Sequence, residues 1–289
     1  MNDLTTPPGA DRHQRVLYVG GAMRSGTTVI HRALCQARNS NPYISESWYL
    51  HDLFNMYAWN LTRFDVRHAD QFGSPSKLYD LTHFNLHYYL NLVSARYGDP
   101  EVLILKHPEL TRHFPTLRTM TPGSKFLVIV RDPRDVIGSI KAVNERHRAT
   151  RTMSPTVRFQ VMAEYCNFYM KYYKTIIEER GQFGDDLMFV RYEDVVTDPA
   201  NTFAKISTFS GAVYEGDEMV KFDPASTDSK NLTREVRLED PFSGAFWSDL
   251  YTKDLSTESI GTYKTRLTQT ETQEVQAYLF QMGSEFGYW

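Results

Sequence analysis

Eight residues, Gly21-Ala22-Met23-Arg24-Ser25-Gly26-Thr27-Thr28, contain what is needed to hold an oxyanion. Two glycines let the backbone curl so that several N–H groups point at one anion. Thr27 and Thr28 supply hydroxyl donors, and Arg24 supplies a permanent, planar cation with five donors. A helix opening here adds the partial positive charge of its N-terminus, about 0.3–1 kcal/mol toward an exposed anion. The plainer alternative is an ordinary glycine-rich turn between a strand and a helix.

A second group of the same kind lies in residues 126–140, FLVIVRDPRDVIGSI. Arg131 follows an apolar run. Asp132 and Pro133 turn the chain into a helix, for which Pro suits the first turn. Ser139 lies about two turns on. The Arg fork and the Ser hydroxyl can converge on one phosphate. Asp132 and Asp135 are favourable near a helix N-terminus. They also leave a second reading open, a structural network in which Arg131 pairs with these aspartates.

These residues need a scaffold that carries strand ends to one edge. Val16–Gly21, Val102–Lys106, Lys125–Val130 and Leu187–Tyr192 read as buried strands, apolar and β-branched without alternation. Helical spacing marks 27–38, most of 48–97, and stretches near 109–119, 133–146, 156–180, 199–210 and 270–286. Strands separated by helices predict parallel pairing through right-handed crossovers. The expected fold is a single α/β domain over residues 16–289, a central parallel sheet flanked by helices, P-loop-like, with a helical insertion. Residues 1–15 read as a disordered lead-in, and 213–260 as irregular loops.

Composition narrows the class. Of 289 residues, 41% are hydrophobic and 23% charged, an ordinary globular balance. With 32 Lys and Arg against 35 Asp and Glu, the formal charge is −3, which excludes a basic nucleic-acid coat. Two cysteines exclude a disulfide scaffold and a structural zinc cluster. The polar first 15 residues do not read as a secretion signal, and no stretch of about 18 apolar residues could span a bilayer. A soluble, cytoplasmic protein that binds neither nucleic acid nor membrane is expected.

The Gly-x4-Gly spacing is also that of nucleotide-binding P-loops, although Thr27 stands where those loops carry Lys. Met23-Arg24-Ser25-Gly26-Thr27-Thr28 resembles the 5′-phosphosulfate loop, P-[KR]-S-G-T-T, of sulfotransferases that use 3′-phosphoadenosine 5′-phosphosulfate (PAPS), with Met23 for the usual Pro. The arginine form is similar to the bacterial and Golgi-type branches. Arg131 to Ser139 resembles the family's 3′-phosphate motif, R-x-P-x-D-x-x-x-S, at full spacing. Phe189 to Asp194 is similar to a strand-ending R-Y-E-D, and Gly261 to Thr268 to a late G-x-W-[KR] segment with Tyr263 for Trp. The resemblance covers most of 16–286, strongly at 22–28 and 126–139. It implies PAPS as co-substrate and no metal. Arg24, Ser25, Gly26, Thr27 and Thr28 would hold the 5′ end, and Arg131 and Ser139 the 3′-phosphate. Tyr192 would meet the adenine, with Ser259, Gly261, Tyr263 and Lys264 completing the donor site. Tyr192 reads equally well as a core tyrosine. Ser256-Thr257-Glu258 stands where the cytosolic branch has R-K-G, so Lys264 or Arg266 would help instead.

Sulfuryl transfer needs a cation on the leaving oxygen and a base for the acceptor's proton. Lys106 ends a strand in Leu105-Lys106-His107-Pro108, which resembles the family's L-K-x-P, and Arg24 is a second cation. For the base, Glu46 matches the Glu that follows the phosphate loop by about twenty residues in bacterial and Golgi-type members. His107 competes, one residue earlier than the cytosolic branch's K-T-H places its His. A carboxylate near its ordinary pKa is a weak base, so Glu46 needs burial or an orienting role.

The aromatic run 48–64 reads mainly as core, with a remainder that could line a pocket for an aromatic, cyclic or cationic small molecule. His83 and His87, four apart on a helix, lack a third ligand for a metal. Cys35 and Cys166 read as buried small hydrophobes. Two rivals remain: a P-loop kinase or NTPase, and a non-catalytic nucleotide-binding protein.

Overall fold

The computed structural model describes residues 15–150, 159–214 and 255–289. β1 (Arg15–Gly21) leads into α1 (Thr27–Leu34). Next come α2 (Trp48–Leu61), α3 (Phe64–Arg67), α4 (Ala69–Phe72) and the long α5 (Pro75–Arg96), the expected helical insertion. β2 (Val102–Lys106), a 3-10 turn (Pro108–His113), α6 (Phe114–Met120) and β3 (Lys125–Val130) follow. The rest comprises α7 (Pro133–Thr150), α8 (Met162–Glu178), β4 (Leu187–Arg191), α9 (Tyr192–Thr197), α10 (Pro199–Ser210), α11 (Tyr263–Arg266), α12 (Gln269–Tyr278) and α13 (Phe280–Glu285).

The four strands form one parallel sheet in the order β2-β1-β3-β4. Side chains alternate between its faces. Tyr18, Leu103, Leu105, Phe126 and Val128 enter one apolar cluster, with Phe114, Tyr169, Tyr172 and Tyr173. Leu17, Val19, Ile104, Leu127 and Ile129 enter the other, with Ile30 and Phe203. Both faces are covered over β1, β2 and β3, which is why these read as continuous apolar runs, whereas β4, expected to be buried, lies at the sheet edge and is half-buried except at Val190. Burying each such side chain contributes roughly 1.5–3 kcal/mol.

The strand order has a functional consequence. From β1 the chain departs to β2 on one side, while β3 and β4 lie on the other. The connections diverge between β1 and β3, and a crevice opens beyond their carboxyl ends at such a point. The segments that begin at Gly21 and Arg131 flank it.

Several expected boundaries shift: the helix expected over 156–180 is α8 from Met162 to Glu178, and β4 ends at Arg191, with Tyr192 opening α9. The helix near 109–119 is a 3-10 turn followed by α6, because Pro115 in the first turn of α6 has no N–H to continue a helix from the residues before it. The helix over 270–286 breaks at Leu279, which leaves the helical path at φ −109°. α13 then turns so that Gly283 receives the Trp289 ring, leaving no room for a Cβ. Of the expected lead-in, 1–14 lie outside the described residues and Arg15 pairs in β1 opposite Val102. The loops of 215–254 also lie outside them.

Candidate active site

The glycine turn is held in one shape. Arg24 has φ 70° and Gly26 φ 86°. A Cβ at Gly26 would lie 2.4 Å from the Tyr192 ring, so glycine is needed both for the backbone and for the close approach. Ser25 Oγ–H donates to the Ala22 carbonyl at 2.6 Å. The Ala22 N–H donates to Tyr173 Oη, whose hydroxyl donates to the Ile129 carbonyl, each at 2.9 Å. One turn along α8, Tyr169 Oη–H donates to the Arg131 carbonyl at 3.2 Å. Two buried tyrosines thus fasten the turn after β1 and the tip of β3. Gly26 as N-cap offers α1 no side-chain cap, so the first-turn amides have no side-chain acceptor at that position.

The second strand tip bends toward this turn. Arg131 Nη1–H donates to the Arg24 carbonyl at 3.2 Å, and its guanidinium lies 4.6 Å from the Tyr192 ring centre. Arg24 Nε–H in return donates to Ser139 Oγ at 3.0 Å. The aspartate network left open by the sequence exists in another form. Asp132 is occupied by Arg134, at 2.6 Å, and Asp135 lies 4.0 Å from Arg131. Tyr192 is buried, as a core tyrosine would be, yet its ring stands between Gly26 and Arg131.

Asp135 has a task the sequence did not disclose. Its wholly buried carboxylate accepts the Gly261 and Tyr263 N–H groups, each at 2.8 Å, and the Thr262 hydroxyl at 3.2 Å. This ties the 261–263 turn to α7. The turn brings the Ser259 carbonyl onto Arg131 Nη2 and the Tyr263 ring under the Arg134 guanidinium, 4.5 Å away. Lys264 stays exposed. Arg266 is the cation of this helix that feels the site. Burial, and then repulsion from Arg131, push its pKa down. Arg131 and Arg266 lie by the fully buried Asp135 carboxylate, with Glu193 also in reach of the Arg131 charge, and Arg131 Nε is buried with no hydrogen-bond partner. A buried guanidinium with an unused donor fits an anion.

On the other side of β1, the Ser47 N–H donates to the Lys106 carbonyl at 2.8 Å, pinning the start of α2 to the end of β2. This seats Glu46 beside Lys106. The Lys106 ammonium, 1% exposed, donates to Glu46 Oε1 and to Thr28 Oγ1, the latter at 3.0 Å. Burial alone would raise the Glu46 carboxyl, but Lys106, through charge and hydrogen bond, together with the His107 and His51 imidazoles, holds it below its ordinary value. Glu46 Oε2 lies 3.9 Å from His107 Nε2. Burial carries the His107 pKa down to about 4, so the ring is neutral at pH 7. Its Nδ1 accepts the Glu109 N–H at 3.2 Å. His51 stacks on the His107 ring at 4.4 Å and Trp48 meets it edge-on at 4.6 Å. Trp48 and His51 belong to the aromatic run of which a part was expected to line a pocket, and the Ser47–Lys106 bond, with the His51–Glu109 contact at 3.5 Å, brings this start of α2 to the strand end.

The remaining features are structural. Leu50, Leu53, Phe54, Tyr57 and Phe64 of the aromatic run are core, while Trp48, Tyr49, Met56 and Trp59 are exposed. His87 Nε2–H donates to the Met120 carbonyl at 2.8 Å, and no cluster fit to hold a metal occurs among the described residues. Cys35 and Cys166 are buried and free. No described helix is long and apolar enough to cross a membrane.

The sulfotransferase family model matches residues 17–216. The sulfotransferase domain of the Synechococcus PCC 7002 olefin synthase is similar over 93% of this chain and 96% of its own, at 16% identity and a TM-score of 0.56. Sulfotransferase STF9 from Mycobacterium avium is similar over 95% and 77%, at 15% identity and 0.51. Mouse sulfotransferase SULT7A1 complexed with PAP is similar over 94% and 86%, at 12% identity and 0.52. At these identities the likeness is one of fold.

Proposed function

Since this chain belongs to the sulfotransferase family, we propose that it moves a sulfuryl group from PAPS to a hydroxyl or amine of a small-molecule acceptor. The observation that carries the reading is the reciprocal contact of the two strand tips. Arg131 reaches the Arg24 carbonyl and Arg24 reaches Ser139, with the Tyr192 ring between them. An adenosine that carries one anionic group on the 5′ and another on the 3′ position of its ribose suits two such adjoining tips.

In this reading the α1 amides, Arg24 and the hydroxyls of Thr27 and Thr28 bind the 5′-phosphosulfate, while the wholly buried Ser25, whose hydroxyl already donates to the Ala22 carbonyl, shapes the turn instead of donating to the ligand. Arg131 and Ser139 bind the 3′-phosphate, and Tyr192 and the 259–264 turn, with Arg266, flank the adenosine. Lys106 and Arg24 neutralise the charge that builds on the leaving phosphate oxygen as the S–O bond breaks. These cations make a metal unnecessary, and turnover should survive EDTA. Glu46, ionised at neutral pH, orients the acceptor and takes its proton as the new bond forms. Trp48 and His51 line the approach, suiting an aromatic, cyclic or cationic acceptor.

A thermal-shift panel of 3′-phosphoadenosine 5′-phosphate, AMP, ADP and Mg-ATP tests the reading, because a ligand that binds the folded state raises its melting temperature. The bisphosphate should give the largest shift. Equal shifts for AMP and the bisphosphate would refute the 3′ site, and a dominant Mg-ATP shift would favour a kinase or NTPase.

A further inference from the structure

The atoms around Glu46 bear on which acceptor atom the site takes. Glu46 Oε1 is engaged by Lys106, which leaves Oε2 turned toward His107 Nε2 at 3.9 Å. His107 is the last residue before the 3-10 turn, and its Nδ1 caps that turn by accepting the Glu109 N–H at 3.2 Å. A neutral imidazole has one N–H and one lone pair. With the Nδ1 lone pair committed, the proton lies on Nε2. That N–H is buried and has no hydrogen-bond partner. The rings of His51 and Trp48 pack on the imidazole, and its Nε2 edge lies along the Glu46 carboxylate.

A donor and a carboxylate oxygen 3.9 Å apart lie beyond hydrogen-bond reach of each other. One atom between them, at an ordinary ~2.8 Å from each, meets both at roughly 90°. That atom must accept from Nε2–H and donate to Oε2. We propose that this atom is the acceptor's hydroxyl oxygen, and that His107 is a hydrogen-bond donor that selects oxygen over nitrogen and not the base. A hydroxyl has two lone pairs and one hydrogen. One lone pair accepts from His107 and the other forms the new O–S bond. The hydroxyl proton passes to Glu46 Oε2. The S–O bond to the donor phosphate breaks, and its electron pair stays on the phosphate oxygen beside Lys106. A neutral amine has a single lone pair, and an attack through it leaves Nε2–H unpaired. An ammonium has none. The inference rests on Glu46 as the proton acceptor. It deepens that reading by fixing the atom on which Glu46 acts.

The test uses the full chain labelled with 15N-histidine, with the His107 signals identified by their loss in His107→Gln. Two-bond 1H–15N spectra should show the neutral Nε2–H form of His107 unchanged from pH 8 to pH 6. An Nδ1–H form overturns the proposal. A second arm offers PAPS with tyramine and trans-4-aminocyclohexanol, each of which carries a hydroxyl and an amine. The sulfate should reach oxygen, with transfer to nitrogen lower by roughly thirtyfold or more, as an unpaired buried donor implies. Sulfamate as the main product overturns the proposal while leaving sulfuryl transfer standing. Loss of both transfer and the bisphosphate-induced thermal shift overturns the underlying reading. Where the bisphosphate binds and neither probe is sulfated, the imidazole spectrum decides between the same two outcomes. His107→Leu should lose more kcat/KM than His107→Gln, which keeps an N–H, with bisphosphate affinity held in both. Equal losses count against a donor role.

Discussion

Arg24 Nε–H donates to Ser139 Oγ at 3.0 Å, so the turn after β1 and the helix after β3 are joined by side chains as well as by the sheet. Ser139→Ala removes the acceptor of that bond and one hydroxyl from the second anion site. Its bisphosphate affinity should fall about tenfold, near 1.4 kcal/mol, with AMP affinity changed much less. Arg131→Ala should lose still more, again selectively. Titration calorimetry of both ligands checks this, and a uniform loss for AMP and the bisphosphate contradicts separate 3′ recognition.

The Lys106–Glu46 pair predicts a non-additive pair of substitutions. Lys106→Met leaves a carboxylate beside the sheet without its cation, which should cost about 3–5 kcal/mol of stability at pH 7. Adding Glu46→Gln removes the stranded charge and should restore part of that loss, giving a favourable coupling in a double-mutant cycle measured by urea unfolding. Glu46→Gln alone should lower kcat by ~10²–10⁴ while bisphosphate binding persists. Simple additivity in the cycle contradicts the pairing.

Three histidines set an acid limit. Burial, chiefly, lowers the pKa of His31 to about 3, of His107 to about 4 and of His113 to about 3. In the unfolded chain each titrates near 6.5. Between roughly pH 4 and 6.5 the unfolded chain therefore binds more protons, and stability rises with pH across that window. The melting temperature should fall steadily from pH 7 to pH 4.5. Glu46 acts in a lower window, because its depressed pKa contributes stability that is lost only as pH falls below its ordinary value. Replacing His113 by Gln should flatten the slope, and a melting temperature constant over this range contradicts the assignment.

Gly26→Ala tests the turn. The added Cβ meets the Tyr192 ring at 2.4 Å and sits at φ 86°. Strain of this backbone kind costs of order 1–3 kcal/mol, and the clash adds to it. Tyr192→Ala in the same chain should recover the clash and not the strain. Full recovery by the second substitution, measured by thermal unfolding, rules out the backbone contribution.

Much of this architecture was legible in the residues. β1, β2 and β3 announced themselves because a sheet covered on both faces needs an unbroken apolar run, as in Val102–Leu105 and Phe126–Val130. Spacing also picked out the two strand-tip segments that the fold brings together, because Gly21, Gly26 and Arg131 follow directly from strand ends that the apolar runs mark. Long-range contacts were not legible. Asp135 looked like a helix-start acid, and its bonds to the 261–263 turn span more than 120 residues. The bond from the Glu109 N–H to His107 Nδ1, which bears on the candidate base, left no mark in the residue pattern either. The break at Leu279 depends on the end of the chain folding back over Gly283, which no local periodicity records.

Tyr169 and Tyr173 hang both strand tips on one rigid helix, at neighbouring turns of α8. The distance between the tips is thereby braced from behind by α8, in addition to the sheet pairing of Gly21 with Ile129 and the Arg131–Arg24 and Arg24–Ser139 bonds in front. A substitution at Tyr169 or Tyr173, remote from either loop, would loosen that brace while leaving every loop residue in place.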